Sequence, residues 1–441
     1  MGSHFFSKTL EKQWGNYQFC WLFNIGIESK WTDNRFQIKN PVEDKAVFHM
    51  EEILLLLARK QDILLLRRMP DERFLQDMQR FGFDVPTIFC PSQENFSKTI
   101  TELILEDKQL LEELKDRARE KDLALLPYGV TRNEEMLAQY CGMEIIGSTS
   151  VVTKKANSKL YAREIMKRIN LPMPEGRICE DLDKVEKVYQ RLHNKFRRII
   201  IKQPYGASGQ GLYLVDSEQR KERILHILKR SQSPEGKWIV EGWLEKKEDL
   251  NAQLYIGTDG EIDIFSVKKQ LLDDTVYRGS VFPLDLSTEE MSKYVSQLKK
   301  VGNVLYQDGV RGIVGIDSLF TKEEIFPVIE INVRFTLSTY LSALSNQFDS
   351  RYFRTMYYRV PLKNGISYEW IYEKLEKNGL LFKPEKREGI FCYIHACMTL
   401  EVVDGLGRLF VIMVSKKIGE LENLQWQLEK FLEEEEILHG V

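Results

Sequence analysis

A glycine-rich stretch preceded by a lysine is the first feature of this sequence that could carry chemistry. Residues 197–211 read RRIIIKQPYGASGQG, and an apolar run, residues 212–215, follows. This pattern predicts a strand, a loop and a second strand. Glycine lets backbone N–H groups approach an anion and Lys202 adds positive charge, so phosphate binding is the expected chemistry. No Gly-Lys-Ser/Thr and no helix follow, which excludes a P-loop and a dinucleotide fingerprint. A glycine-rich hairpin without a ligand is the alternative.

Two acids and an amide form a second candidate site further along the chain. Asp317 and Glu330 are thirteen residues apart, as two antiparallel strands joined by a turn near residues 321–324 would place them. Glu330 and Asn332 are two apart, so they project to the same face of one strand. Such oxygen ligands suit Mg²⁺, which binds carboxylates, amide carbonyls and phosphates. A hairpin with solvent-facing polar residues is the alternative reading.

The segments before these sites predict a parallel α/β lobe. Strand-like runs alternate with helical stretches from about residue 18 to residue 147, an order typical of a Rossmann-like sheet. The predicted strands are residues 63–66, 87–90 and 123–127, and the predicted helices are residues 70–81 and 100–119. We expect this N-terminal domain to cover residues 1–150.

The sequence after residue 150 predicts alternating helices and strands, and a further domain that begins near residue 363. Expected helices are residues 157–171, 181–196 and 218–229, and expected strands are residues 238–241, 253–256, 262–267 and 325–331. After residue 363 we expect helices at 368–378 and 418–436 and strands at 390–400 and 409–414. The predicted domains are residues 151–240, residues 241–362 and a small α+β domain at residues 363–441.

Composition places the chain among globular, water-soluble proteins. It has 441 residues, 43% hydrophobic and 29% charged, with a net charge of −3. This balance gives no reason to expect nucleic-acid or membrane binding. Six scattered cysteines without a CxxC pair fit reduced thiols, so we expect a cytoplasmic protein.

In their order along the chain, these elements resemble the ATP-grasp superfamily over residues 157–339. Lys159 and Lys202 match the two nucleotide lysines of that family. Glu241 and Leu244, in the stretch WIVEGWL, match the hinge that holds adenine, and Glu248 stands where the family places its ribose-binding acid. The resemblance makes the glycine loop a cover for the triphosphate, through Gly206, Ser208, Gly209 and Gly211.

The resemblance also assigns the metal and substrate residues. Asp317, Glu330 and Asn332 match the magnesium ligands, and Arg334 continues the E-x-N-x-R ending. Lys268 is preferred over its neighbour Lys269 as a phosphate-facing lysine, and Arg278 and Arg334 are candidates for a substrate carboxylate or the γ-phosphate. Where the family often has an arginine, two residues before the first metal acid, this chain has Gly315. Arg311, Arg278 or Arg334 would then take that task, or the substrate differs.

The family implies an ATP-grasp fold, with two α+β subdomains around ATP, a Rossmann-like lobe before them and a small α+β domain after them. It implies an ADP-forming ligase that uses Mg²⁺, or Mn²⁺ in its place, and joins a carboxylate to an amine or a thiol. Length and layout resemble the pheganomycin-type peptide ligases and the butirosin ligase that loads glutamate onto an acyl carrier protein. Expected partners are therefore an amino acid or peptide and a carrier protein, and the oligomeric state is open. A kinase that stops at phosphorylation, an inactive nucleotide-binding scaffold and a dehydrogenase are the alternatives.

Overall fold

The structure is a computed structural model that describes residues 6–31, 46–95, 97–206, 211–230, 236–273, 276–348, 351–361, 366–398 and 406–437. Within these ranges the strands form three sheets, of five, four and eight strands. Among the helices in these ranges, none is both long enough and apolar enough to cross a membrane.

The five-stranded sheet belongs to the N-terminal third of the chain. Its strands are parallel in every pairing and lie in the order β3-β2-β1-β4-β5. They are β1 Gln18–Leu22, β2 Ile63–Leu65, β3 Thr87–Phe89, β4 Leu123–Pro127 and β5 Glu144–Ile145. The predicted parallel lobe is confirmed, and β2 and β4 are uniformly apolar because both faces of a parallel sheet are covered.

The helices of this lobe differ from the prediction at one point. They are α1 Lys8–Trp14, α2 Glu72–Arg80, α3 Ile100–Glu106, α4 Lys108–Glu120 and α5 Arg132–Cys141. The single helix predicted over residues 100–119 is two helices, because Asp107 has an extended backbone (φ −90°, ψ 93°). Its carboxylate accepts the Leu110 N–H and so caps α4.

The four-stranded sheet carries the glycine hairpin. Its order is β6-β9-β7-β8 with antiparallel pairing, and the predicted strand–loop–strand is confirmed by the pairing of Ile199–Lys202 with Leu212–Val215. The strands are β6 Gly176–Cys179, β7 Ile199–Lys202, β8 Leu212–Val215 and β9 Trp238–Gly242. The accompanying helices are α6 Ser150–Ala156, α7 Lys159–Arg168, α8 Leu182–His193 and α9 Glu218–Arg230.

The eight-stranded sheet joins the middle of the chain to its C-terminal part. Its order is β14-β13-β10-β11-β12-β15-β17-β16, with antiparallel pairings throughout. The strands are β10 Glu248–Ile256, β11 Ile262–Asp273, β12 Val276–Phe282, β13 Gly312–Phe320, β14 Ile325–Asn332, β15 Tyr352–Pro361, β16 Gly389–Ile394 and β17 Leu406–Ser415. Strands from both sides of residue 362 thus share one sheet, and the domain boundary there stays a prediction.

The last helices complete this half of the molecule. They are α10 Thr288–Gln307, α11 Leu337–Tyr340, α12 Leu344–Gln347, α13 Tyr368–Lys377 and α14 Ile418–Glu434. The strand predicted over residues 390–400 ends at Ile394, and a 3₁₀ turn follows at Ala396–Met398. The backbone leaves the sheet there because His395 and Ala396 donate their N–H groups to the Glu52 carboxylate, at 2.5 and 2.9 Å.

One face of the eight-stranded sheet packs into a hydrophobic core, and the other face lines a cavity. On one face, Leu250, Ala252 and Leu254 of β10 pack into a core with α7 and α10. Alternate residues of the same strand, Asn251 among them, project to the other face, where they line a cavity. The strand period therefore separates the residues that stabilise the fold from those available for chemistry.

Candidate active site

The two predicted acids lie opposite each other on one hairpin. Strands β13 and β14 pair antiparallel with Asp317 opposite Glu330, and the Thr321 N–H donates to the Glu324 carbonyl at 3.0 Å in the turn. The Asn332 amide lies 3.2 Å from the second Asp317 oxygen, and all three residues line the cavity. The predicted hairpin is thus confirmed, with its acids on the cavity face.

Amide groups from two other strands hold Asp317 in place. Asn251 and Gln270 each donate a side-chain N–H to Asp317 Oδ1 at 2.9 Å. Neither residue was predicted from the sequence, although the polar Asn251 between the apolar Leu250 and Ala252 was a usable signal.

Burial and a neighbouring carboxylate disfavour the charged form of Asp317. Burial, followed by the charge of Glu330, raises the pKa of Asp317 to about 6, while the amide hydrogen bonds work to lower it. A cation between the two carboxylates would offset this repulsion. Because two carboxylates and one amide also match the oxygen donors that Mg²⁺ takes alongside phosphates, these residues fit a magnesium ion.

Asp317→Asn is expected to raise the melting temperature of the metal-free protein at pH 7.5 by a few degrees. A carboxyl whose pKa is raised on folding contributes stability below its unfolded value, and this contribution is lost as pH rises through about 6. The gain from the variant should therefore shrink toward pH 4.5. Thermal unfolding with a chelator at both pH values checks this, and an equal gain at both would contradict it.

Lys159 connects the acids to the glycine hairpin. Its buried Nζ lies 2.8 Å from Glu330 Oε1 and 3.0 Å from the Gly206 carbonyl oxygen. The Lys159 backbone N–H donates to the Pro204 carbonyl at 2.8 Å. Gly211 has φ +73°, and an added Cβ there would lie 3.1 Å from the Tyr205 carbonyl, so the turn requires glycine. Ser208 and Gly209 lie outside the described residues.

Lys202 and Glu241 form a second buried ion pair in the cavity lining. Lys202 Nζ lies 2.7 Å from Glu241 Oε2, and Arg163 Nη1 lies 2.5 Å from Glu241 Oε1. Glu241 and Leu244 both line the cavity, as expected for a hinge. Arg163 was not predicted, since one arginine on a helix looks like any surface charge.

Among the predicted residues that the structure describes, the charged residues Glu248, Lys268 and Arg278 are not in the cavity lining, and neither are Gly206 and Gly211 of the hairpin. Glu248 projects from the opposite face of β10, the face of Leu250, and pairs with Lys269 at 3.0 Å, while Asp249 lines the cavity. Lys268 is buried against Ser342 Oγ, at 3.1 Å, and Ser266 Oγ, and burial lowers its pKa to about 7.

Arg278 is the third of these charged residues. Its Nη2 pairs with Asp273 Oδ2 at 2.8 Å, and its neighbour Tyr277 lines the cavity in its place. Register is the reason for Glu248, because shifting one position along a strand moves a side chain to the other face. Lys268 lies on the same face of β11 as Gln270, but it is buried against Ser342 instead of lining the cavity.

Arg334 is the predicted arginine that the structure brings to the cavity. Its Nε lies 2.8 Å from Glu28 Oε1 and its Nη1 donates to the Tyr128 hydroxyl at 2.7 Å, so it joins the N-terminal lobe to β14. Arg311 lies elsewhere, stacked over Tyr306 at 3.8 Å. At Gly315 an added Cβ would lie 2.7 Å from Thr336 Cγ2, which explains why no arginine stands there.

The cavity has a volume of about 310 Å³, and strands from the middle and the C-terminal part of the chain line it. Its lining includes Glu241, the acids Asp317 and Glu330, and Arg408 of β17. Arg408 was not predicted, because nothing local marks an arginine more than seventy positions beyond Glu330.

Two family models and one close relative decide the identity of the chain. A pre-ATP-grasp domain matches residues 50–143, and an ATP-grasp domain matches residues 156–338. The [butirosin acyl-carrier protein]–L-glutamate ligase of Niallia circulans is 32% identical over 347 residues, which are 76% of this chain and 76% of that protein. The chain belongs to the ATP-grasp family. It is an ATP-grasp ligase, as its resemblance to that family implied.

Further ATP-grasp proteins are more distant. The L-propargylglycine–L-glutamate ligase of Streptantibioticus cattleyicolor is 23% identical over 286 residues, 60% of this chain and 58% of that protein. N5-carboxyaminoimidazole synthetase from Staphylococcus aureus, solved with ADP, has a TM-score of 0.56 and 11% identity over 94% of this chain and 97% of that one. A biotin carboxylase complex from Campylobacter jejuni has a TM-score of 0.57 and 12% identity over 93% and 90%. These two structures confirm the ATP-grasp fold.

Proposed function

We propose that this protein uses ATP to activate the carboxylate of an amino acid as an acyl phosphate and transfers the acyl group to an amine or a carrier-protein thiol. The observation that carries the proposal is the Lys159 contact, which joins the glycine hairpin to Glu330. The names of two curated relatives both include L-glutamate, and one includes an acyl-carrier protein. We therefore propose an amino acid, with L-glutamate as the first candidate, as the activated acid, and a role in natural-product biosynthesis.

Different residues of the cavity lining would bind different parts of ATP. The hinge at Glu241 and Leu244 would hold adenine, and Lys159 and Lys202 would hold the phosphates under the glycine hairpin. Asp317, Glu330 and Asn332 would bind Mg²⁺, or Mn²⁺ in its place, and the ion would offset the charge of the β- and γ-phosphates. Asp249, which lines the cavity on the strand after the hinge, replaces Glu248 as our candidate for the ribose.

The chemistry then needs position and charge rather than an activated nucleophile. An oxygen of the substrate carboxylate forms a bond to the γ-phosphorus, and the bond to ADP breaks. The acceptor nitrogen or sulfur then bonds to the carbonyl carbon, its proton is lost, and inorganic phosphate leaves. Arg334 would stabilise the negative oxygen of the tetrahedral intermediate, and the closed hairpin would exclude water.

A panel of amino acids, each with and without carrier protein or amine acceptors, tests the proposal by ADP release. We expect ADP release to require one acid and to accelerate when an acceptor is present. Release of an acyl phosphate that no acceptor consumes would favour the kinase, and absence of ATP turnover with every acid would favour the scaffold. Either result would overturn the ligase.

Lys202→Ala is expected to raise the KM for ATP by about 10–100-fold, the cost of losing one charge-assisted contact. Arg163 would still pair with Glu241, so the hinge should keep its fold. Steady-state kinetics check this, with Lys195→Ala as the control because Lys195 is an exposed lysine paired with Glu175. An unchanged KM in Lys202→Ala would remove Lys202 from the nucleotide site.

A further inference from the structure

Among the residues that the structure describes, one cation of the cavity lining pairs with no acid. Lys159, Lys202, Lys246 and Arg334 each pair with a carboxylate, at distances of 2.8, 2.7, 2.5 and 2.8 Å. Arg408 also lines the cavity, but within the described part of the chain it makes no ion pair. A guanidinium without a counter-charge at the wall of a binding cavity is suited to an anionic group of a ligand.

The surroundings of Arg408 fix its position and leave its charge uncompensated. Its guanidinium lies 5.2 Å from the Tyr357 ring centre, and the Arg278 guanidinium lies 5.3 Å from the same ring centre. Arg278 is neutralised by Asp273, whereas no acid in the described ranges pairs with Arg408. An anion at Arg408 would therefore offset the repulsion between two neighbouring cations.

Arg408 is far from the metal acids. It lies on β17, five strands along the sheet from β13, which carries Asp317. With neighbouring strands about 4.8 Å apart, β13 and β17 are roughly 24 Å apart across the sheet. One extended residue spans only about 3.5 Å, so an amino acid activated at the metal acids is short compared with this separation. The anion held by Arg408 thus belongs to a long acceptor.

The lining between the two ends favours a neutral acceptor. It offers Leu272, Tyr277, Leu337 and Ser338, which are apolar or hydroxyl-bearing side chains. The carboxylates of the described lining residues lie on β9, β10, β13 and β14, at the hinge and metal end. A protonated amine acceptor would find no counter-charge along this path, whereas a thiol on an uncharged arm needs none.

We infer that Arg408 binds the phosphate of a carrier protein's phosphopantetheine arm, whose thiol then reaches the acyl phosphate at the metal acids. This inference rests on the proposed function and selects, within it, the carrier-protein thiol as acceptor. It also gives the C-terminal part of the chain a role, because β17 supplies the residue that recognises the acceptor.

Free pantetheine and 4′-phosphopantetheine, which differ by the phosphate alone, test the inference as acceptors. With the acid selected by the amino-acid panel, the full-length protein should show a kcat/KM at least about tenfold higher for phosphopantetheine, the value of one charge-assisted contact. Arg408→Gln should abolish this preference. Arg359→Gln, which removes the same charge from the position paired with Arg408 on β15 but outside the cavity lining, should retain it.

Hydroxylamine in place of the thiol separates this inference from the proposed function. Hydroxylamine reacts with the acyl phosphate but carries no phosphopantetheine chain, so its reaction does not need Arg408. Arg408→Gln should therefore form hydroxamate at the rate of the unaltered protein. That rate also shows that the variant is folded. A phosphate preference that survives in Arg408→Gln, one lost equally in Arg359→Gln, or exclusive use of peptide amines would overturn the inference. Absence of hydroxamate in the unaltered protein would instead overturn the proposed function beneath it.

Discussion

Glu330→Gln is expected to lower ADP formation by at least about a thousandfold, the scale of losing a metal's charge stabilisation. Glu330 lies opposite Asp317 and would supply one of the two carboxylates that hold Mg²⁺. The fold should survive, because a glutamine oxygen can still accept the Lys159 hydrogen bond and Lys159 keeps its contact with the Gly206 carbonyl.

Single-turnover ADP release measures the loss of rate in Glu330→Gln, and a thermal unfolding curve shows whether its fold survives. Glu323→Gln is the matched control, since Glu323 is an exposed acid in the turn of the same hairpin and should leave the rate unchanged. Turnover of Glu330→Gln within a few-fold of the unaltered protein would remove Glu330 from the metal site. A large drop in melting temperature would instead assign it a structural role.

Arg334→Met is expected to lower the free energy of unfolding by about 3–5 kcal/mol, the typical cost of leaving one member of a buried ion pair without its partner. The exposed side-chain fractions are 8% for Arg334 and 12% for Glu28, so solvent cannot replace the lost charge. Burial alone would lower the pKa of Arg334, and Tyr128 and the nearby carboxylates raise it above its ordinary value. The loss should also loosen the contact between the N-terminal lobe and β14.

Urea unfolding of the ligand-free protein measures this change, and a double variant isolates the ion pair. Glu28→Gln combined with Arg334→Met removes both charges and should recover a large part of the lost stability. Arg311→Met is the control, because Arg311 stacks on Tyr306 outside the cavity. A double variant as unstable as the sum of its two single variants would show that the Glu28–Arg334 pair adds no coupling.

Features that depend on residues close together in the chain could be predicted before the fold was known. The glycine spacing and flanking β-branched residues predicted the β7–β8 hairpin, and the thirteen-residue separation of Asp317 from Glu330 predicted the β13–β14 pairing. Apolar strands alternating with helices predicted the parallel N-terminal sheet. Predictions from such patterns hold in the folded structure because the strand and helix periods are set by residues only a few positions apart.

Which distant side chains meet at the site depends on the order and register of the strands in the folded chain. Asn251 and Gln270 contact Asp317 because β10 and β11 lie beside β13 in the sheet, an order that local spacing does not encode. The face that a strand turns to the cavity depends on register, so Glu248 and Asp249 exchanged the positions that the sequence suggested. Arg408 joins the cavity because a C-terminal strand completes the same sheet, and pairing between remote strands is set by the packing of the whole chain.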